Sequence, residues 1–459
     1  MKVLKFGGTS VGDAGRIGRV ADLVAARAGE GLLVVVSAMG GVTDLLLSLG
    51  SSARAKDRTA AEAALAKVGQ RHVAAVEGLD LSEEAAEECR AALGRELARL
   101  GDLSTGVSLL GELSARTSDS VAAAGELLSA GLLGAALARR GADVVTLDPR
   151  DLVPTDGTHG AAVPDEEEIA RRVGESVLPR IRASQVVLTG GFLGRGPDGA
   201  TTTLGRGGSD YSAALLGAGL ADAGAEVEAI EIWTDVDGIL TADPRLVPGA
   251  RLVREVSAAE AAELAFFGAK VLHPATIRPA VARGIPVVVR NTFRPEAPGT
   301  VVKAEAPGEG VRALAMRTGV AALFVSSARM LLAHGFAARV FSVFERHRVP
   351  VDVITTSEVS ISITVDERAP VDALVAELSA IADVRTLRGL AVVSVVGRSL
   401  RTTPRVAAKI FGALGGINVV MISQGASETN LTFVVEGADA PEAVRRLHRE
   451  LFEGKEEAG

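Results

Sequence analysis

KVLKFGGTSVGDAGRIGRVADLVAARAG, residues 2–29, is the stretch from which the fold is read. KVLKF at 2–6 is a short apolar run of strand length, and GGTSVGDAG is too rich in glycine to extend it. In GRIGRVADLVAARAG, Ile17, Val20, Leu23 and Val24 recur at helical spacing, so the order is strand, glycine loop, helix. LLVVVS at 32–37 repeats it, ending in the loop AMGGVTD before the helical LLLSLGSSA, and the two loops face the same way. Further strands are predicted at 143–147 (DVVTL), 185–190 (QVVLTG), 227–233 (VEAIEIW) and 286–290 (PVVVR), with helices such as 208–220 and 271–283 between them. Most are continuous apolar runs, the mark of strands buried on both faces of an α/β sheet.

Working outward, residues 60–100 are rich in Ala, Glu and Arg, with apolar positions at 65, 68, 73, 76, 93, 97 and 100 that suit a helical insertion or lid. PGTVVKAEAPGEG at 298–310 reads as a linker, with Pro298, Pro307 and its glycines. A domain boundary is expected near 305–312. Beyond it, ARVFSVFERHRVPVDVITTSEVSISITV (338–365) aligns with AKIFGALGGINVVMISQGASETNLTFVV (408–435), Phe341 falling on Phe411. Each copy reads helix, strand, turn, strand, preceded by an apolar strand (ALFVSS at 322–327, LAVVSVVG at 390–397) and followed by an amphipathic helix. That order is βαββα, and a repeated small module beside a catalytic-looking block suggests a binding or pairing unit. The expected domains are 1–305, 312–387 and 388–459, with the last segment available to complete the first module.

Composition narrows the function. A length of 459 residues predicts roughly three structural units at about 150 residues each. Lys and Arg total 49 against 57 Asp and Glu, a net charge of -8, which argues against nucleic-acid or anionic-membrane partners. Aromatic residues at 3% are too few for base-stacking platforms. Apolar runs such as LLVVV at 32–36 fall short of the ~18 residues of a membrane span, and MKVLKFGG lacks the plan of a signal peptide, so a cytoplasmic location is expected. Cys89 is the single cysteine, which rules out an intrachain disulfide or a thiolate metal cage.

Four clusters carry chemistry. Gly7 and Gly8 sit before a helix with Lys5 close by, a pattern that suits phosphate oxygens and equally an ordinary tight turn with a solvated lysine. There is no P-loop signature, and the G-x-G-x-x-G at Gly194, Gly196 and Gly199 leads into TTTLG rather than a helix, so it is rejected as a dinucleotide site. TTTLGRGGSDYSAALLGAGLA at 201–221 places Arg206, two glycines, Ser209 and Asp210 before a helix; capping explains Ser209 or Asp210, but an arginine between glycines suits a carboxylate clamp. IWTDVDGILTADPR at 232–245 offers Thr234, Asp235, Asp237, Asp243 and Arg245 without the ligand spacing of a calcium loop. FGAKVLHPAT at 267–276 adds Lys270 and His273, the latter read as structural rather than as a base.

Taken together, KFGGTS (5–10), VVVSAMGGVTDLL (34–46), GELLSA (125–130), TTTLGRGGSDYSAALL (201–216), IWTDVDGI (232–239), DPR (243–245) and FGAKVLHPAT (267–276) resemble aspartate kinase, in order along the chain. MLLAHGFAARVF (330–341) with VDVITTSEVSIS (351–362) looks like the first ACT module of that family, and 408–435 like the second. The chain ends just after these modules, so the monofunctional form is the one resembled. The resemblance implies an α/β amino-acid-kinase three-layer sandwich with a mainly parallel central sheet, followed by two α+β ACT modules. It also implies transfer of the ATP γ-phosphoryl group to the side-chain carboxylate of L-aspartate, with Mg²⁺ bridging phosphate oxygens. A carboxylate acceptor is ionised at pH 7, which agrees with the absence of a conspicuous general base in the motifs.

By the same resemblance Lys5, Gly7 and Gly8 stabilise the transferring phosphoryl, while Thr234, Asp235, Arg245 and Lys270 lie along the nucleotide. Leu240 stands where relatives often carry a tyrosine near the adenine. The aspartate set is Ser37, Thr43, Glu126 for the α-ammonium, Arg206 as carboxylate clamp and Ser209, with Asp210 organising the lysine and loop network. Met330, Phe336, Val351, Asp352, Thr356, Ser357 and Glu358 match the lysine-binding pattern between ACT modules; Ala333 and Ala337 depart from familiar lysine-sensitive relatives, and threonine is the alternative effector. A homodimer or dimer of dimers through the ACT modules is expected. The rivals are a kinase of the same fold acting on glutamate, acetylglutamate, carbamate or UMP, and a non-catalytic amino-acid sensor.

Overall fold

The structure, a computed structural model, describes residues 1–268, 272, 274–327, 334–425 and 427–453. Two compact units divide the chain, Met1–Gly238 with Leu272–Ala304 and Ile239–Val271 with Glu305–Gly459.

Seven strands of the first unit lie side by side in the order Val144–Leu147, Val186–Gly190, Leu32–Val36, Lys2–Phe6, Ala229–Thr234, Val287–Asn291, Thr300–Lys303. All neighbours are parallel except the last pair. Six of the seven are the predicted strands. Thr300–Lys303 was expected as linker; it pairs antiparallel with Val287–Val289, because a β-branched TVV fits an open sheet edge whatever glycines and prolines flank it. Alternation along the strands sorts the side chains. Leu4, Phe6, Leu32, Val34 and Val36 join a core with Ile17, Val20, Leu46 and Leu133 of the helices Ala14–Ala25, Val42–Arg54 and Ala124–Arg139. Val3, Leu33 and Val35 are equally buried but point to the other face, where helix Gly208–Asp222 packs so closely that a Cβ on Gly217 would meet Val3 at 3.3 Å. Lys5 shares that second face with Val3.

The predicted insertion is two long helices, Arg58–Gly78 and Glu83–Leu110, and Val68, Val76, Leu93 and Leu100 of the expected apolar positions are buried. The consecutive helices within Ala115–Arg139 form a stretch of 25 residues that by length and composition is apolar enough to cross a membrane, although Arg116, Asp119 and Glu126 interrupt it. Its most apolar window is 67% buried in the protein, the condition of a core helix.

In the second unit six antiparallel strands run in the order Ile354–Thr356, Ser360–Asp366, Gly310–Ser326, Asp383–Arg398, Asn430–Glu436, Val419–Gln424. The two central strands are longer than their predicted cores, and each serves both modules. Leu323 and Val325 pack in one core with Val340, Phe344, Ile361 and Leu374, whereas Leu314, on the same strand, packs with Val393, Val395, Phe433 and Leu447. Asp383–Thr386 in turn pairs with Leu323–Ser326. The stretch around Leu314, expected in the first module, therefore completes the second, and the start of the strand at 383 completes the first, so the cut expected at 387/388 falls inside a strand. Residues 239–271, expected in the first domain, group here because they hold second-module residues. Thr241 O accepts the Leu314 N–H at 2.8 Å, Thr241 Oγ1 bonds His448 Nε2 at 2.9 Å, and Ala242 and Val247 enter the second core.

Candidate active site

Lys5 is the penultimate residue of the buried strand Lys2–Phe6, on the face turned to helix Gly208–Asp222, and Asp210 lies in the first turn of that helix, so the fold brings the pair together. Nζ of Lys5 is 2.7 Å from Asp210 Oδ1, with the two side chains only 10% and 15% exposed. The two glycine loops meet beside them. Gly40 N–H donates to Gly8 O at 2.9 Å, and a Cβ on Gly8 would sit 2.8 Å from Ala38 O, so the backbones touch where no side chain fits. Arg206 follows strand Thr201–Thr203, exposed and without a hydrogen bond or ion pair among the described residues. Gly207, with φ of 72°, supplies the left-handed cap from which the helix starts.

Glu126 has the most perturbed environment. Helix Ala124–Arg139 buries it to 3% exposure; Oε1 accepts the Ala38 N–H at 3.3 Å, and Oε2 accepts no hydrogen bond. Burial pushes its carboxyl up to about 7, against the opposing pull of the Ala38 amide and the Lys5 charge. Lys5, Gly8, Ser37, Thr43, Glu126, Arg206, Ser209 and Asp210 line one cleft of about 530 Å³. This cleft offers two cations and backbone amides to anionic oxygens and a buried carboxylate to a cation. Gly7 stands beside it, its N–H spent on Trp233 O at 3.1 Å.

Of the nucleotide set, Thr234 and Asp235 belong to the first unit, Thr234 Oγ1 lying 3.2 Å from Asp235 Oδ1. Leu240 and Arg245 belong to the second, where Leu240 bridges to Leu252 and Arg245 is gripped by Asp243 through Nε–Oδ1 at 3.0 Å and Nη2–Oδ2 at 2.6 Å. Lys270 and His273 lie outside the described residues. Among the described residues no cluster of three or more His, Cys, Asp or Glu is placed to hold a metal.

Of the effector set, Thr356, Ser357 and Glu358 stand at one edge of the six-stranded sheet. Thr356 ends the edge strand and Ser357 and Glu358 follow it, all exposed, with Ser357 Oγ 2.7 Å from Ser360 Oγ. Asp352 pairs with Arg317; burial raises its carboxyl and the guanidinium opposes the rise. Val351 packs partly against the first-module core, and the ring of Phe336 is inside that core. Met330 and Ala333 lie outside the described residues.

Residues 1–291 match the amino acid kinase family, and 323–376 with 393–451 match the ACT domain. The chain is 40% identical to the lysine-sensitive aspartokinase 3 of Escherichia coli strain K12, over 98% of its own length and 99% of that protein. The chain belongs to the aspartokinase family. Aspartokinase 1 of Arabidopsis chloroplasts is 36% identical over 98% of the chain and 80% of that protein. Two crystal structures of E. coli aspartokinase III cover 98% of the chain. The complex with lysine and aspartate (T-state) has a TM-score of 0.84 at 39% identity over 99% of that structure, and the complex with aspartate and ADP (R-state) 0.83 at 38% over 100%.

Three residues not singled out by sequence belong to the surroundings of the cleft: Asp44 and Phe192 in its wall, and Asp119, which is 3% exposed. Asp119 accepts from Thr203 Oγ1 at 2.6 Å, Gly160 N at 3.0 Å and His159 Nδ1 at 2.8 Å, bracing the strand that leads to Arg206. No local pattern announces such a brace. Only the fold brings residues 119, 159 and 203 together.

Proposed function

We propose that the chain transfers the γ-phosphoryl group of MgATP to the side-chain carboxylate of L-aspartate, giving 4-phospho-L-aspartate and ADP, the first step toward lysine, threonine and methionine. The observation that carries this reading is the buried Glu126 with one oxygen unpartnered, in a cleft that also holds Lys5 and Arg206. An α-amino acid needs an anion for its ammonium and a cation for its α-carboxylate, and Glu126 and Arg206 supply them, with Ser37, Thr43 and Ser209 as hydroxyl partners. The side-chain carboxylate then attacks the γ-phosphorus directly; the bond to the β,γ-bridging oxygen breaks and its electron pair leaves on ADP. No proton moves, so the protein's work is alignment and charge neutralisation. Lys5, held by Asp210, faces the phosphoryl oxygens with the Gly8 backbone, Gly7 shaping the loop with its own N–H spent on Trp233 O. Thr234, Asp235, Leu240, Arg245 and Lys270 are assigned to the nucleotide, and Mg²⁺ enters as MgATP, held through its phosphates.

The regulatory reading is feedback by lysine at Met330, Phe336, Val351, Asp352, Thr356, Ser357 and Glu358 of the first ACT module, threonine being the alternative. Inhibition requires lysine to prefer an inactive arrangement. A cytoplasmic homodimer through the ACT sheets accompanies it, supported by Ile354, Val359 and Ile422, large apolar residues left exposed at or beside the sheet edges.

Acyl-phosphate formation trapped with hydroxylamine tests the whole reading. Hydroxamate is expected with MgATP and L-aspartate and not with L-glutamate, and is lost on adding lysine. Signal with glutamate would move the assignment to another kinase of the fold. Absence of signal with either acceptor, from folded nucleotide-binding protein, would leave a sensor.

A further inference from the structure

The helical insertion encloses a cavity of about 410 Å³ that the phosphoryl-transfer reading leaves unused. His72 of helix Arg58–Gly78, Cys89 and Leu93 of helix Glu83–Leu110, Leu128 and Leu132 of helix Ala124–Arg139, and Val144 at the sheet edge form its walls. The volume lies in the range of small-molecule sites. His72 is 1% exposed. Its Nδ1 is 2.7 Å from Val68 O, which fixes the proton on that nitrogen, and Nε2 is buried without a partner. Burial, with Arg71 adding to it and the Val68 carbonyl opposing, keeps the imidazole neutral, so Nε2 is a bare acceptor. Buried acceptors are nearly always satisfied in native proteins. The lining contains no Lys or Arg among the described residues, and Glu88 is exposed at the mouth, so an anion finds no counter-charge. The Cys89 thiol, its pKa raised by burial and by Glu88, adds a neutral wall.

We propose that this cavity is a binding site for a small, uncharged, largely apolar molecule with one hydrogen-bond donor, which it gives to His72 Nε2. The helix that forms one wall carries Glu126 in its first turn, so cavity and cleft share a rigid element.

Cys89, the sole cysteine, makes the test specific in the full-length chain. Its modification by a thiol-reactive disulfide is followed with increasing indole, which has one N–H donor, and with benzothiophene, which has the same shape and none. Indole is expected to slow modification saturably, and benzothiophene to need at least a tenfold higher concentration, because it leaves the acceptor unpaired. In His72→Leu the two probes are expected to become equivalent. Gly131→Leu supplies a second variant: a Cβ there meets no atom within 4 Å, leucine is the better helix former, and its side chain plugs the mouth and abolishes protection by indole. No protection by either probe, or equal protection by both in the unsubstituted chain, overturns the proposal. So does protection that rises with protein concentration alone, which would make a second copy the occupant.

Discussion

Glu126 couples the charge of the cleft to pH. The folded group keeps its proton up to about pH 7, while an unfolded carboxyl loses it near 4.5. Between those values the folded state binds more protons, so stability of the free chain falls as pH rises through that window. Holding an ammonium requires the ionised form. Aspartate binding is therefore expected to tighten about tenfold from pH 6 to pH 8 with proton uptake by the buffer, and Glu126→Gln to bind weakly and without that dependence, by calorimetry in buffers of different ionisation enthalpy. Lys5 poses a different question, because it both pairs with Asp210 and faces the phosphoryl group. Lys5→Ala is expected to lower kcat by about 10²–10³-fold and to lose about 3–5 kcal/mol by stranding Asp210. Adding Asp210→Asn should restore the thermal midpoint and not kcat; recovery of both would show that Lys5 serves structure alone.

The two glycine loops act as one element. Gly8→Ala places a methyl 2.8 Å from Ala38 O and 3.3 Å from the Gly40 backbone, and must push the loops apart. Turnover is expected to fall at least tenfold with the melting midpoint little changed, since misplacement by an ångström disrupts alignment more than folding. These loops were legible in the sequence because glycine after an apolar run has a local cause. The strands at 2–6, 32–36 and 186–190 were legible as runs of Val and Leu buried on both faces, with Lys5 and Thr189 their buried polar exceptions. The contact of Lys5 with Asp210 was not, being separated by about two hundred residues and fixed only by which strand face meets which helix. Nor was the orphaned oxygen of Glu126: GELLSA shows a carboxylate in a helix, and its burial depends on the loop at Ala38.

At the scale of the whole molecule, the repeat was readable and the sharing of strands between its copies was not, because pairing of 310–318 with 390–398 leaves no periodic trace. That sharing yields a directional prediction. Leu314 lies within the span expected for the first module, 312–387, but packs in the core of the second, at 4% exposure. Leu314→Ala should cost about 2–5 kcal/mol and lower amide protection in Val392–Val396 and Leu431–Val435 while sparing Ile361–Val365. Loss confined to the first module would contradict the shared-strand arrangement. Under the regulatory reading, Glu358→Ala is expected to raise the lysine concentration for half inhibition without lowering uninhibited activity; superimposable inhibition curves would remove Glu358 from the effector set. The shared strands also set a timetable for biosynthesis. Leu314 pairs with Val395, so as the chain leaves the ribosome the apolar stretch around Leu314 lacks its neighbouring strand until about eighty further residues have emerged, some seconds later at about 5–20 residues per second. During that interval the first module can close only in part, and a translational pause between them would hold an unpaired strand where chaperones bind.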